Sequence, residues 1–190
     1  IMQLVRLIKD GDVARMSKRN GEMITLSDLI DEIGVNAARF FFNLRQAGSH
    51  LEFDMDLAVK QNNENPVFYV QYAHARICSI LRTLADDGIT PCKITDADLS
   101  LLTDDSEKEL IAKINSLPHE IRSAAEALEP SKLTRYLLDL AALFHSFYNS
   151  CRVRVDDEKL MQARLQLITA TKSVIKNTLE ILKIEAPEKM

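Results

Sequence analysis

The spacing of apolar residues divides the chain into a short mixed stretch and a long helical one. Met2 to Ile8 alternate enough to give a strand, Asp10-Gly11 signals a hairpin turn, and "DVARM" gives the returning strand. After a glycine-flanked loop, Thr25 or Ser27 can cap a helix with Asp28 in its first turn, where a carboxylate meets the positive end of the dipole. Gly34 ends that helix, because glycine takes the left-handed cap conformation without strain. A second helix is expected over "NAARFFFNLRQAG" to Gly48, and "SHLEFDMDLA" is an extended connector or short strand leading into another.

From "NNENPVFYVQ" onward the pattern is that of longer helices. Pro66 suits a first helical turn, since it gives up a donor that the turn does not use. The helix it opens runs to about Asp86, with Val70, Ala73, Ile77, Ile80, Leu81 and Leu84 on one face. "DDGITPCKITDAD" is a turn-rich linker, and "SEKELIAKINSLP" and "PHEIRSAAEALEP" are expected to be two shorter helices, each bounded by proline. A helix over about Ser131–Arg152 carries a stripe from Leu133 to Cys151, and a last one spans about Glu158–Lys183. The predicted fold is mainly α, a bundle of about five helices over 61–190 preceded by a mixed α/β piece over 1–60.

Composition narrows the class. No apolar run approaches the roughly 18 residues of a membrane span, and the N-terminus lacks the features of a signal peptide. The chain opens in mid-pattern without a methionine, so it is expected to be a piece of a larger protein. Three widely separated cysteines, Cys78, Cys92 and Cys151, suggest neither a disulfide framework nor a zinc site, and point to a reducing compartment, the cytoplasm. A net charge of −4 argues against coating nucleic acid by bulk electrostatics, while leaving room for a local basic surface.

Three stretches carry candidate chemistry. In "RMSKRNGE", Lys18 offers an ammonium, Ser17 a hydroxyl and the backbone several N–H groups; this is either an anion-holding loop or solvated surface. In "NENPVFYVQYAHARI", Tyr69, Tyr72 and Arg76 share one sector beside the apolar stripe, which suits either a platform for unpaired bases or the sealing of a bundle edge. In "LFHSFYNSCRVRV", His145 and Asn149 lie together off the stripe, and Arg152 and Arg154 either complement the helix dipole or add a second RNA-facing patch. The pairs Asp86-Asp87, Asp104-Asp105 and Asp156-Asp157 belong to helix ends and turns, and no metal site is expected.

Taken together, "RMSKRNGE", "GVNAARFFFNLR", "NENPVFYVQYAHARI", "HSFYNSCRV" and the terminal "APEKM" resemble, in order, the C-terminal third of the bacterial arginyl-tRNA synthetases. The resemblance implies a class I ligase in which ATP, with Mg2+, activates arginine for transfer to its tRNA. It implies that Arg15, Met16, Ser17 and Lys18 form the KMSKS-type loop, with Lys18 stabilising charge on the departing pyrophosphate. Arg15 replaces the first lysine of that pattern and Arg19 its last serine, which alters contact geometry. It further implies that Tyr69, Tyr72, Tyr148 and Met190 meet the anticodon loop, and the residue pattern adds Arg76 and Asn149 to the expected tRNA contacts. The HIGH-type motif of the class is not in this sequence, so the fragment alone is expected to bind tRNA without aminoacylating and to hold no cofactor. A monomer with no DNA or membrane partner is expected. Other readings from the residues are a helical protein-interaction module, or a relative that charges another amino acid.

Overall fold

The computed structural model describes residues 5–14, 24–46 and 48–190, so the loop residues Arg15, Met16, Ser17 and Lys18 lie outside the described residues. Strand β1 (Val5–Lys9) turns back through Asp10 and Gly11 into β2 (Asp12–Val13). Both turn residues have positive φ, 54° and 79°, as a two-residue hairpin matching the strand twist requires. The stretch after residue 50 resolves as strand β3 (Leu51–Asp54), which lies parallel to β1 with Leu7 opposite Phe53. The sheet order is therefore β2-β1-β3. A parallel neighbour needs a crossover, and the two helices between β1 and β3 provide it.

Those helices are α1 (Leu26–Ile33) and α2 (Val35–Phe42). Thr25, one of the two expected caps, accepts from the Asp28 N–H at 3.2 Å, and the Asp28 carboxylate accepts the Thr25 N–H at 2.8 Å. Gly34, at φ 81°, ends α1 and begins α2. α2 stops at Phe42 and does not continue to Gly48 as its composition suggests. Asn43 turns its side-chain amide onto the Arg39 carbonyl at 2.7 Å, and its own carbonyl accepts the Thr134 hydroxyl at 2.9 Å. Phe41 and Phe42 pack against the fully buried Phe53, with ring centroids 5.3 and 5.1 Å apart, which locks α2 onto β3.

A short helix, α3 (Met55–Val59), leads to the bundle of α4 (Pro66–Asp86), α5 (Asp105–Ala127), α6 (Ser131–Ser150) and α7 (Glu158–Ile181). Buried Asn65 joins the two parts: its amide donates to the carbonyls of Ala58 (3.0 Å) and Lys60 (2.8 Å), while its oxygen caps α4 through the Val67 N–H. The core is continuous from Leu7, Phe40 and Phe53 through Ile77, Leu137 and Phe144 to Ile168. The expected short helices on either side of Pro118 are one helix, α5, so the bundle has four long helices where the sequence suggested five. Proline normally breaks a helix by removing a donor and crowding the preceding turn. One residue before the Ile114 carbonyl that Pro118 leaves without its donor, the Lys113 carbonyl accepts the Ser116 hydroxyl at 2.8 Å and the buried Tyr136 hydroxyl of α6 at 2.9 Å. The Lys113 ammonium also lies 4.9 Å from the Tyr136 ring centre.

Pro118 thus lies inside a helix that is bonded to α6 just ahead of the proline. Tyr136→Phe keeps the ring and deletes the hydroxyl that bonds the Lys113 carbonyl. The expected loss is about 1 kcal/mol in urea unfolding, and an unchanged midpoint would show that α5 tolerates Pro118 without this contact.

Candidate nucleic-acid interface

Three elements meet at one rim: α4 supplies Tyr69, Tyr72 and Arg76, α6 supplies Tyr148 and Asn149, and the C-terminal tail supplies Met190. Arg76 is the junction. One guanidinium nitrogen donates to the Tyr72 hydroxyl at 2.9 Å and another to the Tyr148 hydroxyl at 3.1 Å. Its central carbon lies 4.7 Å from the Tyr148 ring centre, a cation–π distance. On one side of Arg76, a pocket of about 400 Å³ is lined by Tyr72, Ala75, Ser79 and Arg82 of α4 and by Glu188, Lys189 and Met190 of the tail. Met190 is 54% exposed and presents an apolar end to this opening. Asn149 is exposed on the opposite side of Arg76.

Tyr69 stands a step back from that pocket. It packs against the core and meets the His145 ring at a centroid distance of 5.0 Å, so it backs the rim without lining the opening. His145 departs from the expectation that it lies off the apolar stripe. Its ring is wedged among Tyr69, Tyr72 and Phe144, at 5.0, 5.9 and 5.5 Å, and supports Tyr72 from beneath. Its Nε2 is buried and has no hydrogen-bond partner among the described residues. The i, i+4 relation to Asn149 suggested a shared polar surface, but the aromatic neighbours on α4 cover the imidazole.

Sequence reasoning also missed how the tail is held. Gln71 and His74, both buried on α4, take up tail carbonyls: Gln71 Nε2 donates to Glu185 O at 2.8 Å, and His74 Nδ1 donates to Pro187 O at 2.8 Å. Asn36 on α2 makes a two-way contact with Glu185, receiving its N–H at 3.0 Å and donating to its carboxylate at 3.2 Å. Two polar residues three apart within the apolar face of α4 were the available signal. A buried amide or imidazole needs a partner, and here the partner is backbone from the chain end.

Burial pushes the His145 imidazole below its usual pKa range, and the positive charge of Arg76 pushes it the same way. Burial also lowers His74, against the opposing hydrogen bond to Pro187. Both depressed groups are therefore neutral in the fold where the unfolded chain begins to bind protons. The stability they contribute is complete above the unfolded value of about 6.5 and is lost as pH falls from there toward the folded values. His145→Phe preserves a ring in the wedge while removing its titration. Urea midpoints taken from about pH 7.5 down to pH 5 should fall less steeply in this variant, and parallel curves would exclude His145 as a source of acid sensitivity.

Comparison with known proteins gives this geometry a setting. Residues 70–190 match the DALR anticodon binding domain. Over its whole length the chain is 59% identical to an arginine–tRNA ligase of Caldanaerobacter subterraneus and 56% identical to one of Acetivibrio thermocellus. It spans about a third of those relatives, 34% in each case. A solved Campylobacter jejuni structure assigned as an arginyl-tRNA synthetase superposes on the whole chain with a TM-score of 0.86 at 34% identity, over 40% of that structure's chain. Thermus thermophilus arginyl-tRNA synthetase covers 91% of this chain with a TM-score of 0.71 at 28% identity, over 29% of its own. With its helical bundle matched by the family profile and its full length homologous to arginine–tRNA ligases, the chain belongs to the DALR anticodon binding domain family.

Proposed function

We propose that this chain is the C-terminal portion of an arginine–tRNA ligase, and that its rim holds unpaired bases from the anticodon loop of arginine tRNA. The observation that carries the reading is the pocket between Tyr72 and Met190, closed on one side by an arginine whose partners are tyrosine hydroxyls. An unpaired base needs a face to stack on and donors for its edge, and Tyr72, Met190 and Arg76 supply both. Tyr148 holds Arg76 in place, Tyr69 backs the platform, and Asn149 offers an amide at the edge. In this reading 61–190 is the anticodon-binding domain and 1–60 the end of the catalytic region.

The residues Arg15, Met16, Ser17 and Lys18 stand in the sequence between β2 and α1, and their sequence supports a role in closing on the phosphates of ATP, with Lys18 as the catalytic cation. In the whole enzyme ATP, with Mg2+, activates the carboxylate of arginine. Among the described residues no group of three or more His, Cys, Asp or Glu is placed to hold a metal ion. Arginine and most ATP contacts belong to the part of the ligase that this chain does not span. We place the ligase in the cytoplasm as a monomer without DNA or membrane partners; among the described residues no helix is long and apolar enough to cross a membrane.

Titration of the chain with arginine tRNA, and with the same tRNA carrying an altered anticodon, tests the reading. The matched tRNA should bind about 1–3 kcal/mol more tightly, and Tyr72→Ala should lose a similar amount. Equal affinity for both tRNAs would favour a protein-interaction module. In a separate assay, the chain alone should show no arginine-dependent exchange between ATP and pyrophosphate. Measurable exchange would contradict the assignment of arginine activation to the remainder of the ligase.

A further inference from the structure

A second cleft, of about 720 Å³, opens on the other side of Arg76. It lies between α4 and the segment that follows α6, and no carboxylate lines it. Three guanidiniums do: Arg76, Arg152 and Arg154. In a chain of net charge −4, such a one-sided lining is a local anion-attracting surface. Arg154 pairs with Asp87 at 2.5 Å, whereas Arg76 bonds only to tyrosine hydroxyls and Arg152 forms no ion pair among the described residues.

The cleft is held from below. Arg164 of α7 donates to the Arg152 carbonyl at 2.7 Å and to the carboxylate of Glu107, 1% exposed, at 2.7 Å. The backbone of Arg152 is thereby fixed to a buried ion pair while its side chain stays exposed. Ser79 and Thr83 present hydroxyls from α4, and Asn149 an amide from α6. Arg76 and Ser79 line this cleft as well as the Tyr72–Met190 pocket, so the two openings are contiguous. A base in one therefore leaves its neighbouring backbone beside the other.

We propose that this cleft takes the phosphate and ribose of the nucleotide adjoining the base at Tyr72 and Met190. Arg152 and Arg76 meet the phosphate oxygens, and Ser79, Thr83 and Asn149 face the ribose hydroxyls. The inference rests on the anticodon-loop reading above and adds to it a sequence-independent grip on the strand. Continuity with an aromatic rim favours single-stranded RNA over an acidic peptide as the occupant.

The test uses the full 190-residue chain and an RNA hairpin bearing an arginine anticodon loop, titrated at several salt concentrations. Arg152→Gln should bind about tenfold more weakly, equally for matched and altered anticodons, and its plot of log K against log salt should be shallower by about 0.7. Arg152→Lys should recover most of the salt dependence. Neutralising single loop phosphates as methylphosphonates should weaken the unaltered chain at one position, and Arg152→Gln should be indifferent there. Asp87→Asn, which releases Arg154 into the cleft, should tighten binding severalfold with a steeper slope, a gain that impaired folding does not mimic. Unchanged affinity and slope in Arg152→Gln and Asp87→Asn, with Tyr72→Ala still weakened, would overturn the cleft and leave the rim intact. A hairpin that does not bind the unaltered chain, or is outcompeted by a poly-glutamate peptide, would overturn both.

Discussion

Arg76 donates to a tyrosine on its own helix and to another on α6, and lies over the second ring. A guanidinium does not lose its proton in a protein, so it cannot relieve partial burial by neutralising itself. Among the described residues its charge is compensated by two phenol oxygens and a π face, with no carboxylate in direct contact, although Glu188 lines the same pocket. The bonds to tyrosine use only part of its five-donor fork. The contact therefore fixes the seam between α4 and α6 and leaves donors directed outward. The seam brings Tyr72 and Tyr148 to one place before any ligand arrives, and a preset arrangement lowers the ordering cost of whatever binds there.

The chain end is held by the same logic of satisfied polar groups. Terminal residues ordinarily fray unless their backbone is tied down. Asn36, Gln71 and His74 bind the tail at Glu185 and Pro187, and the last three residues follow from that anchor. Because Asn36 belongs to α2 while Gln71 and His74 belong to α4, the tail also joins the small mixed part to the bundle. The position of Met190 thus depends on polar side chains that bind the tail three and five residues before it.

Elements governed by local chemistry were legible in the sequence. The Asp10-Gly11 turn, the Thr25 cap, the Gly34 break and the start of α4 at Pro66 depend on a few adjacent residues, and each stands where those residues put it. Features governed by distant partners were not legible. Pro118 lies inside a helix that Tyr136 of α6 bonds at Lys113, and where α2 ends the Asn43 carbonyl is bonded by Thr134 of α6. The parallel pairing of β3 with β1 joins segments more than forty residues apart, as in Val5 with Leu51. At the rim, helical spacing put Tyr69, Tyr72 and Arg76 on one face, while the wedging of His145 depended on which helix would cover it.

The account turns on whether one ligand engages the helix and tail groups together. Its most direct test is an NMR titration of the chain, labelled at tyrosine rings and methionine methyls, with an arginine anticodon hairpin. The account predicts that Tyr72, Tyr148 and the Met190 methyl shift along one binding curve, while Tyr136 on the far seam stays still. Shifts concentrated away from these three, or Met190 responding with a different affinity from the tyrosines, would contradict it.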